Sequence, residues 1–231
     1  MIRVSGIYGQ PLLNEKLIYA SMTTGVDNIV FDLGGVLLNH KNWNLVLRNS
    51  KIPKIYHRHI IDSITDQIHI VNTHTISADR FIEQWVARQH MVSNDAQYLE
   101  CLPSAFRLLM SSSTKFDYVD ALLTSLKNKG YGLYYLSNWS RFGFETMKKH
   151  NDMAFLYNFN GGIMSYEVGM DKPYLGIYKE LEDQYKLDPS KTLFLDDKEK
   201  NVKAAIDCGW KGILFQPNTT VMELLQMKDR R

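Results

Sequence analysis

The stretch Ile29-Val30-Phe31-Asp32-Leu33-Gly34-Gly35-Val36-Leu37 decides how this chain folds. Its three leading apolar residues read as a short buried strand. The acid that follows stands at the carboxyl end of that strand, and the paired glycines mark a turn. The same pattern recurs downstream. Leu133-Tyr134-Tyr135-Leu136 precedes Ser137-Asn138, and Thr192-Leu193-Phe194-Leu195 precedes Asp196-Asp197. Ile213-Leu214-Phe215 and the weaker Gly162-Ile163-Met164 complete the set. Helical stripes lie between these runs. Val119, Leu122, Leu123 and Leu126 form one, closed by Gly130. Tyr178, Leu181 and Tyr185 form another, and Val202, Ala205 and Ile206 a third, closed by Gly209. Strands alternating with helices predict an α/β fold, with a parallel sheet covered on both faces.

The stretch from about residue 40 to 115 reads differently, with no convincing strand. Trp43, Val46 and Leu47 suggest one helix, and Ile55, His59 and Ile60 another. Ser77 reads as the N-cap of a helix carrying Phe81, Trp85 and Val86, and Leu102 to Met110 adds one more. The expected division is an N-terminal extension over 1–26, a core over 27–39 and 116–231, and a helical insert over 40–115. Within 1–26, Asn14, Glu15 and Lys16 interrupt any export-signal core, so the cytoplasm is the expected location.

Whole-chain properties remove several functional classes. A net charge of +2 on 231 residues makes no electrostatic case for nucleic acid as a partner. No run approaches the roughly 18 apolar residues of a membrane span, so no membrane partner is expected. Cys101 and Cys208 have no metal-type spacing and read as small core residues. His57 and His59 are two apart and do not share a helix face, which argues against a histidine metal site.

The chemistry sits after the strands. Asp32, Ser137-Asn138 and Asp196-Asp197 each follow one, and Lys172-Pro173 opens the helix after the weak strand. Ligands of open α/β sheets bind at the carboxyl ends of the strands, so these groups are expected to converge. Three acids, a hydroxyl and an ammonium suit a divalent cation and a phosphate. A hard cation such as Mg²⁺ prefers carboxylate oxygens, and an ammonium offsets phosphoryl charge. A carboxylate in line with phosphorus can attack it.

With these residues in view, the chain resembles the haloacid dehalogenase superfamily. Phe31 to Leu37 looks like its first motif, and Leu136-Ser137-Asn138 like its second. Lys172-Pro173 resembles the third, and Leu195-Asp196-Asp197 with Asn201 the fourth. The likeness spans about residues 28 to 216. It implies a Rossmann-like parallel sheet core with a helical cap inserted after the first strand. It further implies a phosphatase acting on a small phosphate monoester, through an aspartyl-phosphate and with Mg²⁺ as cofactor. By the family's scheme Asp32 is the nucleophile and a metal ligand, joined by the Gly34 carbonyl, Asp196 and Asp197. Ser137, Asn138 and Lys172 would hold the phosphoryl group.

One departure bears on mechanism. Most phosphatases of the superfamily carry a second acid two residues after the nucleophile, serving as general acid and base. Gly34 stands there instead. The Asp-x-Gly pattern resembles a subgroup that includes glucose-1-phosphatase-like proteins, which makes sugar phosphates expected substrates. Tyr174 stands where an acid is usual after Lys-Pro. Two rival functions follow: a 2-haloacid dehalogenase, which Asp196-Asp197 disfavours, and a non-catalytic binding protein that kept the fold.

Overall fold

The computed structural model describes residues 21–40, 42–73, 76–150 and 153–227. Residues 1–20 of the expected N-terminal extension lie outside them. Its last residues belong with the core: Val26 is buried there and Met22 packs against it.

Among the described residues the main sheet has five parallel strands. They are β1 (Asn28–Phe31), β4 (Gly132–Ser137), β5 (Gly161–Met164), β6 (Thr192–Asp196) and β7 (Lys211–Leu214), in the order β5-β4-β1-β6-β7. Residues alternate between faces, as strand geometry requires. Ile29, Phe31, Leu133, Leu193 and Leu195 join one apolar cluster, whereas Val30, Leu136 and Phe194 join the other. Both faces are therefore buried, which is why these strands read as continuous apolar runs. The helices between and after them, α6 (Val119–Asn128), α7 (Arg141–His150), α8 (Ser165–Val168), α9 (Leu175–Tyr185), α10 (Glu199–Asp207) and α11 (Pro217–Leu225), include the three expected stripes. Ile206 is a local exception: it is exposed, while Val202, Ala204 and Ala205 make the buried face.

The central position of β1 matters. The chain runs from β1 outward through β4 and β5, then returns to the other side for β6 and β7. Neighbouring connections therefore leave β1 in opposite directions, which opens a crevice at its carboxyl end.

The insert hangs from a hairpin that the sequence did not show. β2 (Leu38–His40) pairs antiparallel with β3 (Ser113–Lys115), with His40 opposite Ser113. The expectation of no strand between 40 and 115 is thus corrected at its far end. Ser113-Thr114-Lys115 is too short and polar for a periodic signal, and its pairing comes from a partner far along the chain. Between the two strands lie α1 (Trp43–Arg48), α2 (His57–Thr65), α3 (Ile68–Thr73), α4 (Ala78–His90) and α5 (Ala96–Met110). They bury their own cluster, built around Leu47, Ile60, Trp85, Leu102 and Phe106. Ser77 caps α4 by accepting the Arg80 N–H at 3.3 Å. Helix α5 begins at an Asp95 cap and continues through Pro103, so it starts well before the expected Leu102.

Candidate active site

Each strand end delivers its polar residue to the crevice beside β1. The Asp32 N–H donates to the Leu195 carbonyl at 2.9 Å, carrying the β1–β6 ladder one residue past the strand. The chain then closes a tight turn on the Leu33 carbonyl, which accepts from Leu37 at 2.8 Å and Leu38 at 2.7 Å. Gly35 makes this turn possible with φ of 78°. A Cβ there would stand 2.3 Å from Asp197 Oδ2, so the turn packs directly on the fourth-motif acids.

Lys172 occupies the centre. Its Nζ donates to Asp196 Oδ2 at 2.7 Å and to the Leu136 carbonyl at 2.7 Å. It also lies 3.1 Å from Asp32 Oδ1 and 5.2 Å from the centroid of the Phe194 ring. Asp32 Oδ1 further accepts from the Ser137 hydroxyl at 2.8 Å and the Leu33 N–H at 2.7 Å. Asp196 is held by the Lys198 N–H at 2.8 Å, and by Asn201 Nδ2 at 3.0 Å from each carboxylate oxygen. Asp32, Ser137, Lys172, Asp196 and Asn201 are all buried, whereas Asp197 is exposed.

Burial and charge push these groups apart. For Asp32, burial dominates and raises the carboxyl above its usual range despite the Lys172 ammonium. For Asp196, burial acts upward too, but the Lys172 charge, the Lys172 and Asn201 hydrogen bonds and the Lys198 N–H hold it below that range. Burial opposes the Lys172 charge, and the two aspartates reverse that and raise it. The Asp197 residue reaches solvent, yet desolvation of its carboxyl, packed against the Gly35 turn, raises it, and Asp196 adds to the rise. Two acids a few ångströms apart thus titrate in opposite directions, a pattern found where carboxylates divide roles. Oxygens of Asp32, Asp196 and Asp197 all lie within 4.8 Å of one another, a set able to hold a metal ion.

Asn138, expected as a substrate contact, is hydrogen-bonded to the backbone of Lys172. Its Oδ1 accepts the Lys172 N–H at 2.8 Å and its Nδ2 donates to the Lys172 carbonyl at 2.9 Å. The side chain is committed to the lysine's backbone. Two further relationships escaped the sequence. His69 of α3 meets Asp171 with Nδ1 2.6 Å from Oδ2, directly before Lys172. The Ser165 hydroxyl donates to the Asn72 carbonyl at 2.6 Å and accepts the Trp139 N–H at 2.9 Å. Helix α3 therefore sits on the loops that carry Ser137 and Lys172. His69 and Asp171 are 102 residues apart, and nothing in the local sequence links them.

A buried acid at the end of the central strand thus shares one crevice of an α/β fold with a hydroxyl, an ammonium and further acids. The chain belongs to the haloacid dehalogenase-like hydrolases, whose family model matches residues 26–209. It is 26% identical to the sesquiterpene phosphatase astK of Aspergillus oryzae over 216 residues, covering 89% of this chain and 98% of that protein. It is 31% identical over 122 residues to bifunctional epoxide hydrolase 2 of Sus scrofa, covering 52% of this chain and 22% of that longer protein. A haloacid dehalogenase family enzyme from Bacteroides thetaiotaomicron, solved with magnesium and inorganic phosphate, superposes with a TM-score of 0.63. It is 25% identical and covers 84% of this chain and 96% of its own. The L-2-haloacid dehalogenase of Xanthobacter autotrophicus shares the fold at a TM-score of 0.54 and 14% identity, covering 81% of this chain and 76% of its own.

Proposed function

We propose that this chain is a Mg²⁺-dependent phosphatase that hydrolyses a small phosphate monoester through an aspartyl-phosphate on Asp32. The observation that carries the reading is the cluster of Asp32, Asp196 and Asp197 around the Lys172 ammonium. A dehalogenase needs no cation, and three carboxylates gathered at one strand edge repel unless one is supplied. The donor set fits magnesium: hard oxygens, with room for phosphate to complete the shell. Buried Asn201 Oδ1 has no hydrogen-bond partner among the described residues and offers an acceptor to water in that shell. Asp32, the Gly34 carbonyl, Asp196 and Asp197 would hold the ion, which would supply Lewis-acid neutralisation of phosphoryl charge.

The chain's own groups perform the rest. An Asp32 carboxylate oxygen attacks phosphorus; the ester P–O bond breaks and its electron pair leaves with the alkoxide, which takes a proton from water. Lys172 and the Ser137 hydroxyl hold phosphoryl oxygens as charge builds. Water then attacks the aspartyl-phosphate, releasing inorganic phosphate and restoring Asp32. The likenesses to a curated phosphatase and to an enzyme solved with magnesium and phosphate support this reading. Sugar phosphates are proposed substrates because sugar 1-phosphates leave readily without a protonating acid at position 34.

The test is phosphate release from a panel of monoesters with Mg²⁺ and with chelator, beside halide release from 2-haloacids. Release that requires the cation is expected. Halide release in excess chelator would hand the chain to the dehalogenase reading, and silence in both assays to the binding-protein reading.

A further inference from the structure

The cap carries a surface that the catalytic crevice does not use. From Leu33 to Ile61 the sequence holds Lys41, Arg48, Lys51, Lys54 and Arg58 and not one Asp or Glu. The turn joining α1 to α2 exposes Lys51 and Lys54, with Ile55 76% exposed between the basic groups. The turn joining α4 to α5 presents Met91 and Val92, 85% and 78% exposed. These two turns adjoin. The Tyr56 hydroxyl donates to Asp95 Oδ2 at 2.9 Å, and the Tyr56 and Tyr98 rings lie 5.5 Å apart.

Chain direction places both turns at the end of the cap far from the β2–β3 hairpin. Helix α1 leaves that hairpin, and α5 returns to it over a length of about 22 Å. A single exposed isoleucine is ordinary on a protein surface. Three large aliphatic side chains exposed on two adjoining turns, with cations beside them, are the composition that marks an interaction site. They do not serve folding, because the cap buries a separate apolar cluster. Of the acids nearby, Asp95 caps α5 and receives Tyr56, Asp62 pairs with Arg58 at 3.6 Å, and Glu100 is exposed within α5.

We propose that this tip docks the protein onto an anionic lipid surface. Ile55, Met91 and Val92 enter the headgroup layer, and Arg48, Lys51 and Lys54 lie over lipid phosphates. Charge complementarity selects anionic lipid, and the protruding aliphatic side chains select a bilayer over nucleic acid, which would leave them in water. The contact is peripheral, since no helix of the described residues is long and apolar enough to cross a membrane. It revises the expectation of no membrane partner, which rested on the lack of a spanning segment. It is independent of the catalytic reading.

The experiment is co-sedimentation of the full chain with vesicles of phosphatidylcholine alone and of phosphatidylcholine with phosphatidylserine. Binding is expected only with phosphatidylserine, and it should fade in high salt. Lys51→Gln and Lys54→Gln should each weaken partition roughly fivefold. The double variant Ile55→Asp, Val92→Asp should lose it while retaining wild-type circular dichroism. Failure of the wild type to sediment with phosphatidylserine vesicles would overturn the proposal. So would binding that both sets of variants leave unchanged. A wild-type dimer that the aspartate variants split, in sedimentation velocity, would assign the patch to self-association instead. Absence of phosphatase activity would not affect the result, because sedimentation reads partition alone.

Discussion

Asn138 grips Lys172 by both edges of its backbone, accepting from the N–H at 2.8 Å and donating to the carbonyl at 2.9 Å. The amide is the one side chain able to do both at once, since it carries a donor and an acceptor side by side. It thereby fixes where the lysine enters the crevice. Asn138→Ala should lower kcat by about 10²-fold through misplacement of the ammonium, with overall charge unchanged. Asn138→Asp keeps the acceptor and loses the donor, so it should fall between. Steady-state kinetics on an aryl phosphate would check this, and equal rates in all three proteins would show that Lys172 needs no clamp.

Lys172 itself is more than a phosphate ligand. Removing it leaves Asp32 and Asp196 buried without their shared counter-charge. Lys172→Met should cost about 3–5 kcal/mol in denaturant unfolding as well as most of the rate. The sign with pH follows from the shifts. Asp196, lowered in the folded state, contributes stability above its unfolded pKa that is lost as pH falls through the folded one. Lys172, raised, contributes stability below its unfolded pKa that is lost only as pH rises through its folded one. The penalty of Lys172→Met should be largest around neutral pH and shrink in acid. A penalty independent of pH would argue for lost packing instead.

Asp32→Asn separates function from stability. Burial raises the Asp32 carboxyl, so its ionised form opposes folding at neutral pH. The variant should release no phosphate above background, yet melt no lower than wild type in chelator. Added Mg²⁺ should raise the melting temperature of wild type more than that of the variant. Wild-type turnover in the folded variant would end the nucleophile assignment.

The two glycines of the turn should behave differently. Position 35 has positive φ and packs on Asp197, so Gly35→Ala should disrupt the crevice. Position 34 is not among the positive-φ glycines, so backbone conformation does not bar Gly34→Asp, which would put an acid where related phosphatases carry one. Wild type should favour aryl phosphates over primary alkyl phosphates of similar fit, because it has no acid there to protonate the leaving group. Gly34→Asp should raise the alkyl rate by about 10²–10⁴-fold. Equal wild-type rates for both classes, with chemistry limiting, would mean that another residue supplies the proton.

What the sequence made legible follows from physical range. Asp32, Ser137 and Asp196 were readable because each ends a buried strand, and strand ends of a parallel sheet converge by construction. The Asn138–Lys172 clamp spans 34 residues and the His69–Asp171 contact 102, so no local pattern encodes them. Helix α7 went unread because its apolar residues Phe142, Phe144 and Met147 are spaced among charges. The early start of α5 was hidden by Pro103, which ordinarily breaks a helix interior.

The His40–Ser113 pairing has a consequence beyond this one molecule. The cap leaves and re-enters the core through two residues already held side by side by backbone hydrogen bonds. Any insert whose ends meet the same spacing can replace it without disturbing the register of the five strands. Insert length then matters little, because closure entropy grows only with the logarithm of loop size. Such an attachment makes the cap a unit of inheritance in its own right. A lineage can exchange what its enzyme recognises while the acid on the central strand stays where it is.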